Sequence, residues 1–382
     1  MEKREEHRKE AMRYLQDNAA LRAALGVRDD DVLEPFYLGA GEHNRNFWFR
    51  VPRTQERYVL RVNIATQPFH DNQVAYEHAA LVALAPSGCV PQVLYCDDAP
   101  SALGKGVLVE TFCEGDELDF DHLRPGDLLC AAQLMADVHA VVVGDDCPLH
   151  RPHDPLRALF EECLQRFETY RASAFEDARI TKWAETFIKR THALLDTPCR
   201  PEDGCHIINT ETLPSHFLIL SSAAQEAACA GRAREASSSQ LRGAGQACDM
   251  SSRQHGTGAF SVHSGYFIDW ERPIIGEVAQ DVAYFTSPTT TFWDSDYLFP
   301  ESEVSGFVED YWRAVDGRFE RGNFDARFRA YRAMTALRSV TWCCQALIRY
   351  GGEGGHKVQK TADKLPIYLS DEFMERLARE CF

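Results

Sequence analysis

The chain has 382 residues, 45% of them hydrophobic, enough to bury a sizeable core in two lobes. Its formal net charge of −17 excludes a general nucleic-acid binder, which needs a basic footprint. That charge fits a cationic small-molecule partner, and equally a surface charged for solubility. The 13 cysteines fall singly apart from Cys343-Cys344 and form no Cys-x-x-Cys pair, which excludes a disulfide framework and a cysteine zinc site. No apolar run approaches the ~18 residues of a membrane span. The start, Met1-Glu2-Lys3-Arg4-Glu5-Glu6, has no hydrophobic signal core. A cytoplasmic protein without membrane association is expected.

Residues 2–25 are charged and then amphipathic, with Met12, Leu15, Leu21 and Leu25 at roughly helical spacing and Gly26 as the stop. A helix packed outside the first lobe accounts for them. From Phe36 to Val51, apolar and aromatic residues flank a turn containing Gly39 and Gly41, the pattern of a hairpin. Glycines there let backbone amides approach an anion, although an ordinary hairpin fits the same residues. Tyr58-Val59-Leu60-Arg61-Val62 is a strand with one cation inside an apolar run, and a helical segment sixteen residues on carries Glu77. Taken alone, the pair reads as well as a surface Arg and a solvated Glu. Val90–Tyr95 and Gly106–Gly115 are two more strands, with Phe112 and Cys113 near the end of the second.

Beyond Asp119 the pattern becomes helical. Leu128–Val141 reads as a buried helix capped by Asp121 or Asp127 and ending near His139, and segments 155–173 and 177–196 read as two more. Short apolar runs then bracket Asn209-Thr210-Glu211-Thr212-Leu213-Pro214-Ser215-His216, and Gly265-Tyr266-Phe267-Ile268 leads into Asp269-Trp270-Glu271. Between these halves Ser221–Gly258 lacks Phe, Tyr and Trp, and reads as a disordered insertion into a hairpin loop. Residues 303–350 read as two helices, the second with a core stripe of Ala333, Leu337, Val340, Cys344 and Leu347.

In this order the features resemble the aminoglycoside phosphotransferase/choline kinase family, relatives of the protein kinases. That family's catalytic loop reads His-Gly-Asp-Leu-His-Pro-Gly-Asn. On it, Glu211 falls at the catalytic Asp, Pro214 at the family proline, and His216, five residues after Glu211, at the metal-binding Asn. Ile268-Asp269-Trp270-Glu271 matches the family's form of the kinase Asp-Phe-Gly motif, and the run from Gly276 to Ala283 matches its Gly-Asp-x-x-x-Asp-Leu-Ala.

The resemblance implies an α+β, two-lobed protein-kinase-like fold. A small antiparallel-sheet nucleotide-binding lobe with its leading helix takes 1–115, and a mainly helical lobe takes 116–382 with the catalytic loop, the acceptor pocket and the insertion at 221–258. It implies a small-molecule kinase moving the γ-phosphoryl of ATP or GTP to a hydroxyl of a small acceptor, a cationic one included, with Mg²⁺, or Mn²⁺, as cofactor. Gly39, Gly41 and Arg61 would then face phosphates, Glu77 would pair with Arg61, and Phe112 and Cys113 would border the adenine. Asp269 would hold the metal, His216 would stand at the second metal position, and Glu211 would orient the acceptor hydroxyl. Asp281 would hold the catalytic loop, and His139 would play a supporting part. Glu211 keeps a carboxylate on one more methylene, whereas the His216 imidazole suits transition metals better than Mg²⁺. A catalytically weak nucleotide-binding or regulatory protein on the same fold is therefore the alternative. A structural α/β protein that binds no nucleotide is a third reading.

Overall fold

The computed structural model describes residues 2–41, 43–66, 71–99, 103–104, 106–221, 264–351 and 359–382. The leading segment is two helices, α1 (Glu2–Asp17) and α2 (Ala19–Ala24), because the Asn18 side chain accepts the Leu21 amide and starts a new helix. Gly26, at φ +62°, stops α2 in the left-handed conformation that glycine adopts without strain. The buried stripe of these helices, Ala11, Leu15, Leu21 and Leu25, packs with Phe47, Phe49, Leu60, Val107 and Val109.

Those last residues belong to an antiparallel sheet of β1 (Phe36–Ala40), β2 (Asn44–Arg50), β3 (Arg57–Asn63), β4 (Val93–Asp97) and β5 (Val107–Thr111), in the order β1-β2-β3-β5-β4. The middle strand is therefore β3, with Arg61 opposite Asn46 on one side and Leu108 on the other. Between β3 and β4 runs α3 (Gln73–Leu84), capped by Asn72.

The helical region begins with α4 (Asp127–His139). Neither aspartate expected as its cap serves: Gly126 precedes the helix at φ +94°, and the Asp127 carboxylate accepts the Arg124 amide instead. Asp154 and Asp177 do cap the next two helices, α5 (Pro155–Arg171) and α6 (Ala178–His192). Short strands accompany these helices: β6 (Asp116–Glu117) before α4, then after α6 β7 (His206–Ile208), β8 (Phe217–Ile219), β9 (Gly265–Phe267) and β10 (Ile274–Gly276). The antiparallel pairs are β7 with β10, and β8 with both β6 and β9. Gly265 is required by packing, since a Cβ there would lie 2.0 Å from the Leu218 carbonyl oxygen. The expected insertion at 221–258 falls between the paired strands β8 and β9, and from residue 222 on it lies outside the described residues.

The remaining helices are α7 (Val278–Phe285), α8 (Pro288–Asp294), α9 (Glu301–Val315), α10 (Phe324–Gly351), α11 (Gln359–Tyr368) and α12 (Asp371–Glu380). In α10 the expected stripe is buried at Ala333, Leu337, Val340 and Cys344, and Leu347 packs against the same core. A buried carboxylate fixes the turn into α7: Glu277 accepts from Arg327 Nε at 2.5 Å and from the Tyr331 hydroxyl at 2.7 Å. An N-terminal antiparallel-sheet region followed by a mostly helical region is the two-lobed architecture of protein kinases. Among the described residues no helix is long and apolar enough to cross a membrane.

Candidate active site

Strand periodicity builds the first wall of the site. Alternate residues share a face, so β2 and β3 place Asn44, Asn46, Arg61 and Asn63 together, and β5 adds Glu110 from the same face. Arg61 is buried, not turned to solvent, and its Nη2 lies 3.4 Å from Glu77 Oε2, 3.1 Å from Asp269 Oδ1 and 3.5 Å from Glu271 Oε1. The expected strand-to-helix pair is thus present and extends to the residues after β9. Asn44 Nδ2 donates to Glu271 Oε1 at 2.5 Å, and Gln73 Nε2 donates to Glu77 Oε1 at 3.0 Å and to the Glu271 carbonyl at 2.7 Å.

Four carboxylates surround one guanidinium here, and their acidities respond. Burial raises Glu77 despite Arg61. It pushes Glu110 up to about 7 and, with Asp269 adding to it, Glu271 up to about 8. Burial also opposes ionisation of Asp269, but His216 and Arg61 outweigh it and hold that carboxyl below the usual range. Several buried polar atoms on this wall have no hydrogen-bond partner among the described residues: Asn46 Oδ1, Asn63 Oδ1, Arg61 Nε and His43 Nδ1. Such atoms are costly unless a polar ligand engages them.

Gly39 lies opposite Asn46 in the β1–β2 hairpin, and the Gly41 amide donates to the Asn44 carbonyl at 3.0 Å. A Cβ on either glycine would meet no atom within 4 Å, so packing within the protein does not demand glycine there. Phe112 donates its amide to the Arg57 carbonyl at 3.0 Å, which removes that N–H from any adenine contact, and the Arg57 guanidinium covers its ring at 4.4 Å. Cys113 follows it, half-buried.

The second wall is the loop Asn209–His216. Asp281, fully buried on α7, accepts the Asn209 amide at 2.7 Å and the Thr210 amide at 2.8 Å. His139, also fully buried, stands 3.3 Å from Asp281 and 2.8 Å from the Tyr311 hydroxyl, which is the supporting part expected of it. Thr210 is held at φ +70° and Asp269 at φ +65°; for a β-branched threonine that is a strained conformation. Asn209 ties the two halves by donating to the Asp269 carbonyl at 2.8 Å. His216 Nε2 comes within 3.3 Å of Asp269 Oδ2, and its buried Nδ1 has no partner among the described residues.

The loop therefore brings His216 against Asp269, a member of the Arg61 cluster, with Glu211 close enough to His216 for its charge to act on the carboxylate. Glu211 is more exposed than these, and both of its ion pairs fall on Oε1: Arg338 Nη2 of α10 at 2.5 Å and Arg272 Nη1 at 3.5 Å. Burial works against its charge, but Arg338 and Arg272 prevail and lower its pKa. Among the described residues no group of three His, Cys, Asp or Glu is disposed around a common metal position. Mg²⁺ fits such a site nonetheless, because it is ordinarily held by one or two carboxylates together with nucleotide phosphates and water.

Sequence reasoning overlooked Asn44, Gln73, Glu110, Arg272 and Arg338. Asn44 lies inside the Phe36–Val51 hairpin and Arg272 beside the Asp-Trp-Glu triplet, so strand periodicity and adjacency are available signals. Arg338 sits in a helix read for its apolar stripe, and nothing local marks it.

Residues 37–206 match the family model of the phosphotransferase enzyme family, APH, a span that ends just before Asn209. No curated protein sequence matches the chain. Among solved structures, spectinomycin phosphotransferase APH(9)-Ia in complex with ADP and spectinomycin superposes with a TM-score of 0.60 at 11% identity, covering 98% of both chains. A choline/ethanolamine kinase family protein from Mesorhizobium loti gives 0.55 at 17% identity, covering 97% of this chain and 98% of its own. A Plasmodium vivax ethanolamine kinase gives 0.55 at 14%, covering 92% of this chain and 85% of its own. The family model thus matches residues 37–206, and along nearly its whole length the chain shares the fold of solved aminoglycoside phosphotransferase and choline/ethanolamine kinase structures.

Proposed function

We propose that this protein is a cytoplasmic small-molecule kinase, transferring the γ-phosphoryl group of ATP or GTP to a hydroxyl of a small acceptor. The observation that carries the reading is the convergence on Asp269, where Arg61 reaches Oδ1 at 3.1 Å and His216 reaches Oδ2 at 3.3 Å. Residues 1–115 form the nucleotide-binding lobe and 116–382 the lobe that carries the catalytic loop and the acceptor pocket. Arg61, positioned by Glu77, and the turn at Gly39 and Gly41 face the phosphates, and Phe112 and Cys113 border the base. Asp269 holds Mg²⁺, with His216 at the second metal position, where Mn²⁺ is the better match for imidazole. When bound, the metal neutralises phosphate charge.

Glu211 orients the acceptor. Its Oε1 is engaged by Arg338 and Arg272, so Oε2 is the oxygen that meets the hydroxyl. The acceptor oxygen forms a bond to the γ-phosphorus, the bond to the β–γ bridging oxygen breaks, the nucleoside diphosphate leaves, and the acceptor proton passes to Glu211. In a loose transition state that proton moves late, so a carboxylate of lowered pKa suffices to position the hydroxyl. The two arginines on Glu211 and the histidine at a metal position favour a second reading, a nucleotide-binding protein without turnover. ADP and GDP release across an alcohol and amino-alcohol library, run beside Mg-ATP and Mg-GTP thermal shifts, tests both. Nucleotide binding without release supports the second reading, and no nucleotide binding sinks both.

A further inference from the structure

The charge around Glu211 is opposite in sign to that of the chain as a whole. Arg338 and Arg272 reach the same carboxylate oxygen, and the charges of both act on Arg166 of α5, a helix packed against α10. Arg166 pairs through Nη2 with Glu162, while its Nη1 is buried and has no hydrogen-bond partner among the described residues. Burial lowers the Arg166 pKa, and the like charges of Arg338 and Arg272 add to that effect. Among the described residues three guanidiniums thus share two carboxylates, Glu211 and Glu162, and one positive charge is left over. Two further neighbours carry no charge: the Tyr284 ring lies 5.5 Å from Arg338, and Ser339, next to Arg338 in the chain, donates to the Thr289 hydroxyl at 2.9 Å. A single arginine in forked geometry is enough to hold one carboxylate, and gathering two more buried cations beside it is unfavourable unless another anion joins them. The cluster opens to solvent at Glu211 and Arg272, whose side chains are 39% and 21% exposed.

We propose that the acceptor is an anionic alcohol, whose carboxylate or phosphate docks on Arg272 and Arg338, attracted also by the charge of the buried Arg166, while its hydroxyl meets Glu211. The proposal rests on the kinase reading of this site and names the substrate class within it. Each guanidinium carries five N–H donors, so Arg338 and Arg272 can keep Glu211 and still donate to a second anion. A cationic acceptor would meet the uncompensated charge, so the overall −17 is no guide to the substrate.

The test uses four small hydroxyl compounds that differ in charge: glycerate, glycerol 3-phosphate, glycerol and choline. Their binding is measured calorimetrically to the full-length protein with Mg-ADP present, so that the nucleotide phosphate positions are filled. At least one of the two anions is expected to bind at millimolar concentration, and glycerol and choline are not. Arg166→Gln should weaken the anion roughly tenfold, the scale of one charge-assisted contact, and Arg166→Lys should recover part of the loss. If Arg166→Gln fails to fold, Arg272→Gln, at the more exposed arginine, reads the same loss. Absence of binding by either anion, equal binding by choline, or unchanged affinity in the folded variant would overturn the proposal. ADP release from Mg-ATP with the same compounds separates the two levels. An anion that binds without turnover counts against the kinase reading and leaves the anion site standing. Turnover of choline but of neither anion does the reverse.

Discussion

Replacing Asp281 by Asn alters one atom in a side chain that is fully buried and holds two backbone amides of the Asn209–His216 loop. Asp281 Oδ2 accepts from Asn209 at 2.7 Å and Oδ1 from Thr210 at 2.8 Å, so an amide in the same place must turn its NH₂ toward one of these N–H groups. A hydrogen bond to a charged acceptor contributes about 1.5–3 kcal/mol, and a buried donor left unsatisfied costs about 1–3 kcal/mol. One contact is inverted and the other loses its charge, so a destabilisation of about 3–5 kcal/mol is expected. The anchor also holds Thr210 at φ +70°, a conformation costing on the order of 1–3 kcal/mol by itself, and a weakened anchor lets the loop relax and carry Glu211 with it. Urea unfolding measures the effect as a lower midpoint at unchanged slope. A loss below about 1 kcal/mol, the worth of one ordinary hydrogen bond, would refute the role given to Asp281.

Three further outcomes follow from the site and its surroundings. Asp269→Asn should abolish the thermal stabilisation given by Mg-ATP and leave the fold intact; a wild-type shift in this variant would remove Asp269 from the metal position. His216→Asn should raise Mg²⁺-supported turnover and lower the ratio of Mn²⁺- to Mg²⁺-supported rates, and an unchanged ratio would count against His216 as a ligand. His206 is buried against the His139 carbonyl at 2.7 Å, and burial depresses its pKa to about 4. Between about pH 6.5 and pH 4 the unfolded chain therefore takes up a proton that the folded one refuses, and stability should fall by up to about 3 kcal/mol as pH drops through that window. His206→Gln should flatten this part of the urea-midpoint profile, and equal slopes in both proteins would dismiss the histidine as its source.

The sequence revealed what periodicity and local spacing encode. Arg61 within an apolar strand, Glu77 sixteen residues on, and Asp281 after the Asp-Trp-Glu triplet each took the place expected, because a strand or helix carries its own geometry. The start of α4 was misread because Asp127 has a nearer partner in the Arg124 amide, and a cap candidate says nothing of competing donors. Helices α11 and α12 went unmarked, since residues 359–380 carry no signature beyond helix formation. Arg338 and Glu211 lie 127 positions apart, and Arg166 joins them from a third element. Such a cluster exists only after α5 and α10 pack, so no reading of local pattern could have placed it.

On the kinase reading the site has two poles, and their signs set the order in which charge can be brought in. Around Arg61 stand Glu77, Glu110, Asp269 and Glu271, and the rise of Glu110 to about 7 and Glu271 to about 8 shows how poorly this surrounding takes on more negative charge. On that reading a nucleotide without its metal would bring further anionic oxygens into that field, so a divalent cation would have to accompany it. Around Glu211 the excess is positive, held by Arg166, Arg272 and Arg338. The phosphoryl group would cross from the first pole toward the second, where guanidinium donors already stand beside the accepting oxygen. Negative charge spreading over the transferred oxygens would thus move toward cations that need no reorganisation to meet it.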